Sequence, residues 1–272
     1  MRRLRAFAGL LVSLGLLGLL AWRLDLRGVL QALGELRLGW LALAAALGPL
    51  QVLLASERWR LASARVGSAL GRWEAWREYA LSTFVNQVLP GGIAGDAARV
   101  ARQRQHGWKG ALLPALVDRG VGQALLAVLA LGGLLAWPER PSGSLLVVGA
   151  LVLVMGGLLW FVRAALRGAW LANLGLSAAL LGSFLLAFAA CGLAMGRPLG
   201  RELAVAVPLL LLAMAVPLSF GGWGLREVSA ALLLPGFGWT PEQAVALSTC
   251  YGLTVLAGSL PGALVPLWTR HA

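Results

Sequence analysis

The chain has 272 residues, 59% of them hydrophobic and only 12% charged. A soluble domain carries about 25% charged residues, so composition excludes an ordinary soluble fold and predicts an all-α polytopic membrane protein. The net charge of +12 is spread over short segments between apolar runs, as expected of cytoplasmic loops under the positive-inside rule. No contiguous basic surface remains for nucleic acid.

The N-terminus "MRRLRAFAGLLVSLGLLGLLAW" is basic and then apolar, without an A-x-A-like cleavage site. It predicts a retained first helix over 6–22, with Arg2, Arg3 and Arg5 holding the N-terminus in the cytoplasm. A second apolar run covers 38–56. Glu57, Arg58 and Arg60 close it and are expected at headgroup level. The segment 57–78 carries five arginines against three glutamates and reads as a cytoplasmic loop.

A short apolar run follows over 79–90 and breaks at Pro90-Gly91-Gly92. The chain resumes with Asp96 and a basic stretch over 96–109. Only a re-entrant hairpin, entering and leaving by the same face, keeps both basic segments inside. Non-helical backbone at that depth needs surrounding protein or a wet cavity. Longer apolar runs then cover 111–136, 144–162 and 171–196. Short ones cover 203–218 and 225–238, and a final long one covers 243–268. Trp22, Trp40, Trp137, Trp170 and Trp268 stand at the ends of long runs, where interfacial aromatics gather.

The second half repeats the broken pattern. Pro90 to Asp96 reads P-G-G-I-A-G-D, and Pro217 to Glu227 reads P-L-S-F-G-G-W-G-L-R-E. Interrupted apolar segments at corresponding places in two halves point to a transporter-like site. The expected architecture is a single integral membrane domain over 1–272, with about six transmembrane helices and two re-entrant broken-helix hairpins. Pseudo-repeats over about 1–136 and 140–270 hold three spans each, and an odd number gives an inverted repeat. Eight simple spans form the alternative.

Several polar residues fall where they are expensive. A helix restarting near Gly95 directs free N–H groups and a positive dipole end into the membrane, which attracts phosphate. Asp96 serves there either as N-cap or as part of a site. Arg99 and Arg102, one turn apart, suit a lipid phosphate or plain headgroup anchoring. Asp118-Arg119 lies inside an apolar segment and needs partners. Arg119 is expected to pair with Asp96 or Glu227, and Asp118 with Arg99. Arg226-Glu227 repeats this logic. Asn86 is placed to bond freed backbone or a headgroup. Cys191, Cys250, His106 and His271 have no metal-site spacing, so neither metal nor cofactor is expected.

The stretch "GDAARVARQRQHGWKGALLPALVDR" is superficially similar to the D-G-x-x-A-R…G…D…D signature of CDP-alcohol phosphotransferases. In the CDP-alcohol phosphotransferase signature the glycine follows the aspartate, whereas here it precedes it, and no D-x-x-x-D follows. Without that carboxylate cluster there is no ordinary Mg²⁺ site, so no enzyme is expected.

Three blocks, "FVNQVLPGGIAGDAARV", "ALVDRGVGQ" and "VPLSFGGWGLRE", together resemble the transmembrane region of lysylphosphatidylglycerol synthases and their stand-alone flippase-like relatives. The family pattern runs N-x-x-x-P, G-G-D-x-x-R, an (E/D)-R pair, and P-x-S-x-G-G-x-G-x-x-E. Here Gly91-Gly92 and Gly95-Asp96 stand in place of an unbroken G-G-D. The resemblance covers roughly residues 40–268. It implies movement of an anionic or aminoacylated phospholipid between leaflets of a prokaryotic cytoplasmic membrane. The synthases' soluble aminoacyltransferase domain has no counterpart before Ala272, so aminoacyl transfer is not expected.

The candidate translocation residues are Asn86, Pro90, Gly95, Asp96, Arg99, Asp118, Arg119, Ser219, Gly222, Gly224, Arg226 and Glu227. The expected partner is a membrane lipid with a phosphate headgroup, and a homo-oligomer is compatible with the reading. The alternative function is a membrane partner or regulator of a lipid- or glycan-modifying enzyme.

Overall fold

The computed structural model describes residues 2–89, 92–103, 107–162, 168–215 and 221–268. The first apolar run forms α1 (Arg2–Arg23). A short α2 (Leu26–Gly34) follows, started by Asp25, whose carboxylate accepts from the Arg27 amide at 3.0 Å. Its apolar stripe of Leu26, Val29, Leu30 and Leu33 has helical period; Val29 and Leu33 pack against Val245 and Ala246 of α11 (Pro241–Ser259), while Leu26 and Leu30 are exposed. Hydropathy gives no element here, because nine residues fall short of a span; the Asp25 cap and the stripe were the available signals.

Then come α3 (Leu38–Arg65), α4 (Arg72–Val88), α5 (Ala94–Arg102) and α6 (Gly107–Leu135). The charged segment 57–78 is therefore mostly helix rather than loop: α3 runs through its first part and α4 begins inside it. The second half holds α7 (Ser144–Val162), α8 (Trp170–Ala194), a 3₁₀ turn at Arg201–Leu203, α9 (Ala206–Ala215) and α10 (Leu225–Leu233). A second 3₁₀ turn at Leu234–Phe237 leads to α11, and Leu260 separates α11 from α12 (Pro261–Trp268).

Among the described residues four segments are long and apolar enough to cross a membrane: Leu38–Arg65, Gly110–Leu135, Trp170–Ala194 and Pro241–Val265. Two shorter apolar stretches, Leu11–Arg23 and Ser144–Trp160, accompany them. The protein is an all-helical, multi-pass membrane protein. Helix α10 has 9 residues. At about 1.5 Å per residue it reaches about half of a hydrocarbon core roughly 30 Å thick.

Contacts between α4 and α5 run in opposite directions along the chain. Arg102 bonds Glu78 at 2.6 Å, Asp96 accepts from Ser82 at 2.9 Å, and the Gly95 amide donates to Asn86 at 2.8 Å. Such a ladder defines an antiparallel helical hairpin. Helices α9 and α10 pack together in the second half, with Met214 against Gly222.

Small residues let the long helices approach closely, as is usual between membrane helices. A Cβ on Gly48 of α3 would lie 2.5 Å from the Gly258 Cα of α11. The apolar core gathers α8, α9, α10 and α11 around Phe188, Leu210, Leu234, Leu247 and Tyr251, with the Phe188 and Tyr251 rings stacked at 3.8 Å.

Glu202, in the turn before α9, accepts from the Trp239 indole at 2.9 Å and from the Gly200 amide at 2.8 Å. Burial pushes its carboxyl up, but those bonds and the Arg197 charge outweigh it and hold the group below its ordinary 4.5. A carboxylate depressed in the folded state contributes stability above its unfolded value and loses it as pH falls through the folded value. Trp239→Phe is expected to cost about 1 kcal/mol at neutral pH. In detergent melts the deficit should shrink as pH falls below 4.5, and a deficit independent of pH would contradict this origin.

Candidate functional site

The first hairpin lies against α3 and α6, and their polar side chains meet at Asp118. Its Oδ1 accepts from Arg58 Nε at 2.8 Å and from Nη2 at 2.7 Å. Its Oδ2 accepts from the Tyr79 hydroxyl at 3.0 Å and from Arg99 Nη2 at 3.3 Å. Arg58 also donates to Ser177 of α8 at 3.0 Å. Gly122 makes room for this guanidinium, since a Cβ there would lie 3.0 Å from Arg58 Nη1. Arg58, Arg99 and Asp118 are all buried, so each charge is removed from solvent and must be compensated by its neighbours.

Asp96 forms the next link. Its Oδ1 accepts from Ser82 at 2.9 Å and from Arg99 Nη2 at 3.3 Å. Its Oδ2 accepts from Arg119 Nε at 2.8 Å and from Arg119 Nη2 in a very short contact. Arg119 reaches on to the Gly92 carbonyl at 3.3 Å, and its side chain is 43% exposed, against 1% for Arg99. The Arg99 guanidinium sits over the Trp59 ring at 4.4 Å and the Tyr79 ring at 4.3 Å. Its Nε and Nη1 have no hydrogen-bond partner. Stacking on two aromatic faces compensates part of that charge.

Both expected pairings are present: Arg119 takes Asp96 from the two acids offered, and Asp118 meets Arg99. Three other expectations are corrected. Asp96 is not the N-cap of α5: Ile93 occupies that position without a side-chain bond, and the Asp96 carboxylate is turned to arginines. Arg99 and Arg102 do not share a site, because Arg102 bonds Glu78 at an exposed position while Arg99 points inward. Arg58 is not an exposed anchor; it is 5% exposed and makes the shortest contacts to Asp118. Asn86 bonds freed backbone, the Gly95 amide. Pro90 and Ser219 lie outside the described residues.

Gly95 is required by close approach. A Cβ there would stand 2.1 Å from the Ser82 carbonyl oxygen, so backbone must move. Gly95→Ala is expected to open the α4–α5 hairpin at a cost of about 1–3 kcal/mol. A melting temperature equal to wild type would contradict this packing.

The start of α10 carries a parallel but closed cluster. Arg226 pairs with Glu227 at 2.5 Å, both side chains 1% exposed. Ser248 of α11 accepts from Arg226 at 2.9 Å and donates to Glu227 at 3.1 Å. Glu227 also accepts from the Gly224 amide at 2.7 Å, closing the start of α10. Gly224 has φ +88° and Gly222 φ +86°, backbone that favours glycine. Their part is to shape the turn. Ser13 of α1 donates to the Trp223 carbonyl at 3.0 Å and so covers this turn.

Beside the first cluster lies a cavity of about 300 Å³. Arg58, Asp96, Asp118 and Arg119 line it together with Gln51, Gln87 and Gln123, and Leu126, Phe184, Leu211, Met214 and Val255 add apolar wall. Arg58, Tyr79 and the three glutamines were missed from sequence. Their signal was spacing: Gly48, Gln51, Val52, Ala55 and Arg58 lie on one face of a helix.

Similarity agrees with the position of this cluster. The family model described as Lysylphosphatidylglycerol synthase TM region matches residues 6–173, which include both blocks around Asp96 and Asp118. The block from Pro217 to Glu227 lies beyond the matched stretch. No curated protein and no solved structure matches the chain. With its central charge cluster inside the matched residues, the chain belongs to the lysylphosphatidylglycerol synthase TM region family.

Proposed function

We propose that this protein moves a phospholipid between the leaflets of a prokaryotic cytoplasmic membrane, with its N-terminus on the cytoplasmic side. The observation that carries the reading is the mixed lining of the cavity, in which guanidiniums and carboxylates meet carboxamides and apolar wall. A volume of about 300 Å³ is at the small end of ligand sites. It suits a headgroup, with the acyl chains left in the bilayer. Arg119 is the exposed cation that receives the phosphate, and Arg58 and Arg99 supply positive field behind it.

In this reading both hairpins are re-entrant and the halves form an inverted repeat. Supporting it, Arg119 follows its partner Asp96 by 23 residues and Ser248 follows its partner Glu227 by 21. Each helix after a hairpin thus returns a polar side chain to that hairpin's acid. The cluster at Arg226 and Glu227 is then the closed counterpart of the open one. No bond is made or broken in the transported lipid, so the function is transport rather than catalysis.

Lipid extracted from the detergent-purified protein and identified by mass spectrometry tests this. A bound phospholipid is expected, reduced in Arg119→Ala. An unchanged lipid complement in that variant would sink the assignment of Arg119.

A further inference from the structure

We propose that α2 is an interfacial helix, seated in the headgroup layer of the leaflet opposite the N-terminus, with Leu26 and Leu30 inserted among the acyl chains. The inference goes beyond the lipid-moving reading and rests only on the membrane-spanning fold. The 22 residues of α1 reach roughly 33 Å, enough to cross the hydrocarbon core and deliver α2 to the far side.

The level of α2 is set by its neighbours. Helix α3 begins at Leu38, soon after α2 ends at Gly34. The Arg37 amide donates to the Ala194 carbonyl at 2.9 Å, so the last turn of α8 lies at the same height. Helix α11 begins at Pro241, and a Cβ on Gly28 of α2 would lie 3.5 Å from the Glu242 side chain. Helices α3, α8 and α11 are all long and apolar enough to cross a membrane, so α2 sits where three spans reach the surface. Val29 and Leu33 pack on Val245 and Ala246, a little over one turn past Pro241, which is roughly 6–8 Å along the axis of α11. Helices that lie in the interface sink their apolar side by about 5–10 Å. The two depths agree.

The faces of α2 give the second ground. At about 100° per residue its side chains fall into three groups. Val29, Ala32 and Leu33 turn to the protein. Arg27 and Gln31, with Glu35 just past the last turn, make an exposed polar stripe. Leu26 and Leu30 lie between the two and are 50% and 66% exposed. Their surface is continuous with Trp22 at the end of α1 and with Leu38 and Trp40 at the start of α3, all exposed. Tryptophans at the ends of spans gather at the headgroup layer, and the Arg23 guanidinium stands over the Trp22 ring at 5.2 Å. Bilayer is thus the occupant that continues across Leu26 and Leu30. Through Val29 and Leu33 the seated helix ties α11, which carries Ser248 and Tyr251, to the membrane surface.

The test places a nitroxide at Leu30→Cys and, separately, at Gln31→Cys in the full chain, reconstituted in vesicles of phosphatidylglycerol and phosphatidylethanolamine. Both native cysteines are buried, and the unsubstituted chain is the blank for them. Collision with oxygen, which partitions into acyl chains, is compared with collision with a water-soluble nickel chelate. The Leu30 label is expected about 5–10 Å below the phosphates, and the Gln31 label at phosphate level or above. Leu26→Cys, about one turn away, repeats the measurement and should report the same depth as Leu30→Cys. A Leu30 label as open to nickel as the Gln31 label places α2 in water and overturns the inference. A Leu30 label immobilised and shielded from both reagents means that protein, such as a second copy of this chain, covers the leucines, and overturns it as well.

Discussion

Asp118→Ala is expected to be the most damaging single substitution in the chain, costing about 3–5 kcal/mol of stability, the usual effect of stranding a buried charge. Removing the carboxylate leaves Arg58 and Arg99 without their principal acid, at 5% and 1% exposure. The Tyr79 hydroxyl loses its acceptor at the same time. Asp118→Asn keeps the shape and one acceptor oxygen, so it should lose less, but it still leaves the guanidiniums uncompensated. Pairing Asp118→Leu with Arg58→Met removes both partners together. An apolar replacement of a whole buried pair is often tolerated, so this double variant is expected to recover part of the loss. Thermal or denaturant unfolding in detergent micelles reads the series. A double variant less stable than Asp118→Ala would contradict the assignment of Arg58 and Asp118 as one energetic unit.

Arg119→Ala is expected to do the reverse, sparing the fold and stopping the function. Its side chain is 43% exposed and lines the cavity, and half-exposed ion pairs contribute only about 0–1 kcal/mol. Asp96 would still hold Ser82 and Arg99. Phosphate capture, however, would lose its exposed guanidinium, which offers several donors in a fixed plane. Lipid crossing should fall at least about ten-fold, the equivalent of one charge-assisted hydrogen bond. Arg119→Lys keeps the charge but not the fork and should retain an intermediate rate. Normal crossing by Arg119→Ala, with the melting temperature unchanged, would remove Arg119 from the mechanism.

Much of this architecture is legible in the sequence because membrane constraints are severe. Long apolar runs had to be helices, and the glycine-rich breaks had to be turns. Acids and arginines inside apolar segments needed partners, which is why the Asp96–Arg119 and Asp118–Arg99 pairings could be expected. Other features were hidden for equally physical reasons. Arg58 closes an apolar run in a position that suits a headgroup anchor, and only the approach of α6 and α8 turns it inward. Arg102 has the spacing to join Arg99, but consecutive turns of a nine-residue helix wedged beside α4 send one inward and the other to Glu78. Gln51 and Gln123 look like ordinary helix residues until the cavity between α3 and α6 gives them a face to line. Helix α2 is legible only to someone weighing a cap and a stripe, since its length says nothing about a span.

The central claim, that this chain carries a phosphate-bearing lipid across the bilayer, is tested most directly by leaflet accessibility in vesicles. Purified protein is reconstituted with acyl-labelled phosphatidylglycerol, and a membrane-impermeant reductant is added outside. With the wild-type chain the account predicts that label in both leaflets is reached, and that Arg119→Ala vesicles lose only the outer-leaflet fraction. If wild-type vesicles lose only the outer-leaflet fraction, as protein-free ones do, the account is contradicted.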